Sequence, residues 1–588
     1  MILSQFQRRL GTGLFWGAVA GTLVFGFIGN HQDDIGRNIP NGWPAWYVAD
    51  VSYRTLQLFI LQLTPRKFPA PVMLEIARWL GALVAGIAIV RAAFEIFKQQ
   101  LSDRRLRQMK GHVIVCGLGR KGFHLVKQLR EHGDQVVVIE IDERDDELTT
   151  ARAMGVPILV GDATSAILLR RAGLARASRL IAVCRDDSIN IEIALQGREV
   201  AVASRRERAG PLLCHVHIID LKLAELFRQH KIFSCTTDPF EARIFSFYEN
   251  SARDFLMRNP LDPPTTPESA APGVHLVIVG FGQMGESVAL QAARIGHFAG
   301  GKKLRITVLD PEATAKRLNL LSRYPQIEQV VELEFVPHSI EQPEVRKKLE
   351  SWATRDDERL VVAICLDCDP RALSIALHLP KALQAARTPI FVRQSEQRGL
   401  AALIDQRGGE AMGWNVTSFG EPEVSAGREQ ILQEKLDLLA QAIHARYVAQ
   451  RLADQSRPSD GSTLPWPLLD AGYKSSCRQQ ADHIDVKLRA AGCGRIPIGE
   501  PDPPGTRPFE AFTQEEIERL ARMEHNRWCA DRYLAGWKHG PTDKPNKIHA
   551  DLVPYEALSD SVQQYDRETV LQIPALLTLM GERIIRTG

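Results

Sequence analysis

Two short stretches carry residues suited to holding a phosphate. HVIVCGLGRKG at 112–122 and HLVIVGFGQMG at 275–285 each pass from an apolar strand through three glycines. These are Gly117, Gly119 and Gly122 in the first and Gly280, Gly282 and Gly285 in the second. In such a turn the first glycine permits the tight bend and the second lets the backbone approach a pyrophosphate. The third lets a helix pack closely on the strand, so that its N-terminus faces anionic oxygens. After each turn a second strand ends in a carboxylate of the kind that binds ribose hydroxyls. Glu140 closes QVVVIEID eighteen residues after Gly122, and Asp310 lies twenty-five residues after Gly285. Strand, glycine turn, helix, strand and acid, in that order, predict two α/β Rossmann-like lobes with parallel sheets.

Other reactive residue types are present without a constellation that uses them. A hydride-transfer enzyme needs a general acid or base beside the nicotinamide. His124, on the helix after the first turn, stands alone, so the chain does not read as an enzyme. Cys365 and Cys368 make a CxxC with no second pair to complete a zinc site. In LLCHVHIID, strand alternation sends Cys214 to one face and His215 and His217 to the other, which suits strand packing better than a metal cage. No metal or catalytic residue is expected.

A third stretch, ERLARMEHNRWCADRYLAGWKHG, places Leu520, Glu524, Trp528 and Arg532 at i, i+4, i+8 and i+12 on one helical stripe. Polar groups on a buried stripe need partners. The stripe is either an internal Glu–Arg pair against a core tryptophan or a ligand site. Gly536 can end the helix in a left-handed cap and turn Trp537 back toward that stripe.

The elements that position these residues make a multidomain chain. At 588 residues it is long enough for several cores, and 45% apolar with 24% charged residues is an ordinary globular balance. A net charge of +3 gives no reason to expect a nucleic-acid partner. Leu10 to Gly29 is free of charge over twenty residues, the length of a membrane-crossing helix. A signal peptide cleaved after Ala18-Val19-Ala20 is a weaker reading, because the apolar run continues past that point. A second span at about 72–97 is interrupted by Glu75, Arg78 and Arg91. It is followed by the basic run of Lys98, Arg104, Arg105, Arg107 and Lys110. Arg8 and Arg9 before the first span, with that basic run after the second, place both the N-terminus and everything beyond residue 98 in the cytoplasm. Between the spans YRTLQLFILQLT, 53–64, is too short to cross and suits a re-entrant helix or an amphipathic helix at the membrane surface. The expected layout is thus a membrane region at 1–110 in an inner (cell) membrane, lobes at 111–250 and 272–420, a linker helix at 421–460 and a mainly α module at 461–588.

GDAT at 161–164, LLRRAGLARASRLIAV after it, and Asp187 and Asn190 in DDSIN resemble the regulator-of-potassium-conductance (RCK, or TrkA-N) family. The resemblance implies that Gly117, Gly119, Gly122, Glu140 and Asp162 contact an adenine nucleotide such as NAD, ATP or ADP, used as a conformational signal without chemistry. The second lobe reads VPHSI where GDAT would stand, so a nucleotide on Gly280, Gly282, Gly285 and Asp310 is doubtful. Tandem lobes behind two spans resemble the gating rings of potassium channels and imply a homotetramer. The selectivity filter of that family is missing: LTPRKFPAP follows LQLFILQ, with Arg66 and Lys67 where potassium would pass.

EH-x-x-W, R-x-x-x-GW-x-x-G and K-x-H-x-x-L-x-x-Y, with YDR at 565–567, resemble the ryanodine-receptor repeat, the RyR domain. That resemblance implies a ligand sensor. Trp528 or Trp537 would stack a purine, Arg532, Lys547 or His549 would meet phosphate, and Glu524 and Tyr555 belong to the same motif. The expectation is a ligand-gated, potassium-channel-like membrane protein. The alternative is a non-conducting, membrane-tethered nucleotide sensor or defence effector.

Overall fold

The charge-free N-terminal run lies within a long helix, α1 (Ile2–Asp34), and the second apolar segment opens another, α3 (Val72–Gln108), in the computed structural model. The structure describes residues 2–35, 43–62, 65–66, 68–143, 146–204, 210–229, 239–262, 272–394, 415–421, 427–453 and 461–587. Lys67, Leu63 and Thr64 lie outside the described residues, as do the side chains of Arg8, Arg9, Lys98, Arg104 and Arg105. The chain divides into two compact units, Met1–Gln108 and Met109–Gly588.

In the first unit α1 and α3 pack along each other, and each contains a 22-residue stretch long and apolar enough to cross a membrane. The short helix between them begins earlier than its hydropathy suggests, as α2 (Ala45–Gln57), and continues as a 3-10 turn over Leu58–Ile60. Pro44, with its φ fixed near the helical value, precedes it. Tyr47, Val51, Arg54, Thr55 and Leu58 are buried at helical spacing, so a half-polar stripe packs inward where hydropathy alone shows only the later apolar residues. Glycines let this helix approach both long ones. A Cβ on Gly26 would lie 2.7 Å from Leu58, and one on Gly81 would lie 2.9 Å from the Leu58 carbonyl oxygen.

Charged residues close the end of this unit. Arg54 forms an ion pair with Asp34, both side chains being under 10% exposed, and its Nε lies 3.0 Å from Asp50. Arg66 donates its guanidinium to Asp34 at 3.0 Å and its backbone amide to Asp33 at 2.6 Å. Taking one member from a buried pair leaves an uncompensated charge at a cost of about 3–5 kcal/mol. Arg54→Leu is therefore expected to lower the unfolding midpoint in detergent markedly, and Arg54→Leu with Asp34→Leu to recover most of the loss. A double variant no more stable than the single one would show that the pair is not the cause.

The second unit holds two six-stranded parallel sheets. In the first, β1 (Val113–Cys116), β2 (Val136–Glu140), β3 (Ile158–Val160), β4 (Arg179–Ala182), β5 (Leu212–His217) and β6 (Phe240–Phe245) stand in the order 3-2-1-4-5-6. Helix α4 (Arg120–Glu131) follows β1. Helix α5 (Phe247–Arg258) leaves β6 and buries Phe255 in the second lobe, stacked 4.1 Å from Phe419. The second sheet repeats the order with β7 (Gly273–Val279), β8 (Arg305–Leu309), β9 (Glu332–Val336), β10 (Glu358–Ile364), β11 (Ile390–Arg393) and β12 (Val416–Phe419). Helix α6 (Gln283–Ile295) follows β7. The pair Asp187 and Asn190 fastens the ends of the first sheet: Asn190 bonds both backbone groups of Cys184 and the His217 carbonyl, and Asp187 accepts the amides of Ile219 and Asp220.

The expected single linker helix is broken. Arg428–Leu432 forms one turn, Glu434 takes a left-handed φ of 49°, and α7 (Leu438–Ala453) starts afresh. The two parts serve different cores, since Ile431 and Leu432 join the first lobe while Ile443 joins the second. The C-terminal region is mainly helical, with α8 (Ala471–Asp482) and the capping-box helix α9 (Gln514–Leu534). A small antiparallel sheet of β13 (Cys493–Pro497), β14 (Thr506–Pro508) and β15 (Glu582–Thr587) completes it. Its buried side chains form one continuous core with α5 and the second lobe.

Candidate functional site

The first glycine turn is a cradle with one open side. A Cβ on Gly117, whose φ is 99°, would meet the backbone of Cys184 at 3.0 Å, and one on Gly122 would lie 2.1 Å from the Gly117 carbonyl oxygen. Both positions are closed by packing. A Cβ on Gly119 would meet nothing within 4 Å, so the turn is open where a phosphate would approach the helix. Gly119 is the N-cap of α4 with no side chain capping the first amides, and Arg120 and Lys121 follow it. The helix end thus has no side-chain cap, and the dipole there favours an anion.

Glu140 stands across from this turn, and its carboxylate accepts the amides of Leu118, Ile141 at 2.7 Å and Asp142 at 3.1 Å. These bonds fix the carboxylate at the strand end, where the outer lone pairs can take vicinal hydroxyls. Val160 pairs with Glu140 in the sheet, which puts Asp162 beyond the end of the neighbouring strand, exposed and accepting the Thr164 amide at 2.9 Å. The structure therefore brings Gly117, Gly119, Gly122, Glu140 and Asp162 to the C-terminal ends of neighbouring strands of one sheet.

The second turn has the same backbone and the opposite electrostatics. Gly280 has a φ of 85°, a Cβ on Gly285 would lie 2.2 Å from the Gly280 carbonyl oxygen, and Gly282 is open. Asp310 accepts the Phe281 amide at 2.7 Å, as Glu140 accepts that of Leu118, but Lys316 also donates to it at 2.8 Å. Burial alone would raise the pKa of Asp310; the Lys316 hydrogen bond and the backbone amides outweigh it and hold the carboxyl below its ordinary value. The first turn of α6 carries Glu286, bound by both Arg323 nitrogens at 2.6 Å. An acid thus occupies the helix end, and a lysine occupies the carboxylate.

Lys121 turns away from the cradle toward the second lobe. Its ammonium lies 4.1 Å from the Tyr248 ring and 4.9 Å from Phe247, and Arg393 lies 5.7 Å over the same tyrosine while pairing with Asp367. Burial, with Arg393 adding to it, pulls the Lys121 pKa down to about 8.

In the C-terminal module the predicted residues separate into two groups. Glu524 is buried and bound by Lys487 at 2.5 Å and by a fork from Arg527 at 2.8–3.2 Å. Its internal partner is thus Arg527, together with the sequence-distant Lys487, and not Arg532. Arg532 instead lies 5.6 Å over Trp528 and 5.3 Å over Trp537, with His549 5.1 Å from the first indole and 6.1 Å from the second. The guanidinium thus occupies the space beside both indoles. Lys547, at a φ of 56°, gives its ammonium to the Ala535 carbonyl at 3.0 Å. Tyr555 is buried and bonds Glu518 at 3.2 Å.

His525 joins the two groups, stacked 5.7 Å from Trp528 and with Nδ1 3.4 Å from Asp566. Burial alone would pull its pKa down; the Asp566 hydrogen bond and the neighbouring Cys529 and Val553 contacts outweigh it and carry it up to about 10. A histidine raised above its unfolded value near 6.5 stabilises fully below that pH and loses the contribution as pH climbs toward 10. The module's unfolding midpoint is expected to fall over that window and to flatten in Asp566→Asn, as followed by tryptophan fluorescence.

Sequence comparison accounts for two of these regions. Residues 113–214 match the TrkA-N domain family and residues 509–586 the RyR domain family. The chain carries a TrkA-N domain and an RyR domain. It is 26% identical over 170 residues to potassium channel protein 1 of Methanocaldococcus jannaschii, a stretch covering 27% of this chain and 50% of that protein. It is 32% identical over 127 residues to the glutathione-regulated potassium-efflux system protein KefC of Salmonella arizonae, covering 20% of each. The chain thus spans half or less of the length of these curated relatives. Among solved structures, the GsuK channel bound to NAD is 14% identical with a TM-score of 0.39, over 75% of this chain and 86% of that one. GsuK bound to ADP is 16% identical with a TM-score of 0.38, over 72% of this chain and 98% of that one.

Proposed function

We propose that the chain is a membrane-anchored, ligand-gated, potassium-channel-like protein. An adenine nucleotide, NAD, ATP or ADP, binds the TrkA-N lobe on Gly117, Gly119, Gly122, Glu140 and Asp162. The observation that carries the reading is the open face at Gly119, a helix end without a side-chain cap, opened by Arg120, beside a carboxylate held by amides alone. The matches to a potassium channel and a potassium-efflux protein support a link to potassium transport. The second lobe, with Lys316 on Asp310 and Glu286 at its helix end, holds no nucleotide and serves assembly. The RyR domain reads a second, anionic signal through Arg532 beside its indoles, with Lys547 and His549 nearby. Neither ligand is chemically altered. Both bias one equilibrium, each by its differential affinity for the two states.

The protein sits in the cell membrane on α1 and α3 as a homotetramer, with its N-terminus and the domains after residue 108 in the cytoplasm. A non-conducting sensor is the second reading, favoured by Arg66, whose ion pair with Asp34 stands where a potassium filter would need carbonyl oxygens. Reconstitution separates the two. A tetramer in detergent with nucleotide-dependent potassium flux in liposomes is expected; a tetramer that binds nucleotide without any ion flux would establish the sensor instead.

A further inference from the structure

The core shared by the second lobe and the C-terminal helices holds a polar seam where the end of α6 meets α8 and α9. Four buried polar atoms there have no protein partner: His297 Nε2, His483 Nδ1, Gln479 Oε1 and Arg527 Nη1. His483 is 0% exposed, Arg527 2% and Gln479 4%. The imidazoles of His297 and His483 lie 6.2 Å apart, and the Arg527 charge acts on both. Gln479 precedes His483 by one turn of α8, and its amide reaches Asp531, one turn beyond Arg527 on α9.

The bonds these side chains already make fix what is missing. His483 Nε2 lies 3.1 Å from the His297 carbonyl oxygen and must donate to it, which leaves Nδ1 as a lone pair. The His297 ring bonds the Ala293 carbonyl, so its unpartnered Nε2 is a lone pair as well. Gln479 spends its NH2 on Asp531 at 2.9 Å and Ser475 at 3.1 Å, leaving its oxygen. Arg527 spends Nε and Nη2 on Glu524, leaving the two hydrogens of Nη1. The seam thus presents three acceptors and one donor group.

We propose that this seam is a binding site for internal waters, at least two, which between them accept from Arg527 Nη1 and donate to the two imidazole nitrogens and to Gln479 Oε1. Buried polar groups in native proteins are bonded to protein or to ordered water, and each one left alone costs about 1–3 kcal/mol. Water both donates twice and accepts, as this mixture of groups requires. A dication would suit two imidazoles but not the adjoining guanidinium of Arg527 or the ammonium of Lys487, and an anion would face three lone pairs. The waters complete the polar join between α6, which follows the second glycine turn, and the two C-terminal helices.

Two measurements on the full chain in detergent test this. A structure at a resolution that shows solvent is expected to have an ordered peak within about 3.2 Å of Arg527 Nη1 and of at least one imidazole nitrogen. A seam without such a peak, with Arg527 Nη1 turned onto a protein carbonyl, overturns the proposal. Elemental analysis of protein purified without chelator is expected to find far less than one zinc, copper or nickel per chain. A stoichiometric transition metal, lost in a His297→Ala variant, overturns water in favour of a metal site.

Discussion

An adenine nucleotide is expected to co-purify with the chain and to be lost in Gly119→Asp, while Gly282→Asp leaves the nucleotide content unchanged. Both glycines are open, so neither substitution clashes with the fold. The two turns differ in what a new carboxylate would displace. At 119 it would stand beside the uncapped amides of α4, within about 5 Å of a bound pyrophosphate. Like-charge repulsion at that range is worth roughly 3 kcal/mol at an effective dielectric of about 20, or about a hundredfold in affinity. At 282 it would join Glu286, which Arg323 already holds, at a helix end with no phosphate to lose. Mass spectrometry of nucleotide released from the two variants and the unaltered chain reads the result. Retention of nucleotide by Gly119→Asp would remove the first lobe as its site, and loss in Gly282→Asp would show that the second lobe binds after all.

The glycine turns were legible in sequence because their chemistry is local: three glycines at fixed spacing serve one strand, one turn and one helix. Glu140 and Asp310 were legible for the same reason, each closing the next strand. What sequence could not tell apart is their state, because Lys316 reaches Asp310 from the following helix and Arg323 reaches Glu286 across 37 residues. The linker failed differently. Ile431, Leu432, Leu439 and Ile443 keep helical spacing, yet the first two pack in one core and Ile443 in another, and apolar periodicity does not say which core a residue enters. Glu524 was expected on a polar stripe needing a partner, and it has two. One is three residues away; the other, Lys487, lies 37 residues back on a different helix and left no pattern to find.

Arg253→Ala is expected to cost about 3–5 kcal/mol and to loosen all the modules after residue 108 together. Arg253 lies on α5, the helix that carries the chain from the first sheet into the core of the second lobe, and its side chain is 4% exposed. It donates Nε and Nη2 to Asp482 of α8 at 2.8 and 2.9 Å, Nη1 to Asp437 of the linker at 2.8 Å, and Nη2 to the Leu436 carbonyl at 3.1 Å. Gln291 of α6 donates to the same Asp482 at 2.9 Å, and Arg478 reaches Asp437 from α8. Burial opposes the charge on Arg253, and the two aspartates more than restore it; burial likewise opposes the charge on Asp437, and its two arginines hold its carboxyl well below the usual range. Alanine would leave both carboxylates buried with half their donors. Because one guanidinium ties elements from four parts of the chain, hydrogen exchange should rise in α5, the linker, α8 and α6 at once. Arg258→Ala on the same helix breaks a pair whose arginine is 62% exposed and should shift the unfolding midpoint hardly at all. If Arg253→Ala unfolds no earlier than Arg258→Ala, or if exchange rises in α5 alone, the junction is not what couples the lobes to the RyR domain.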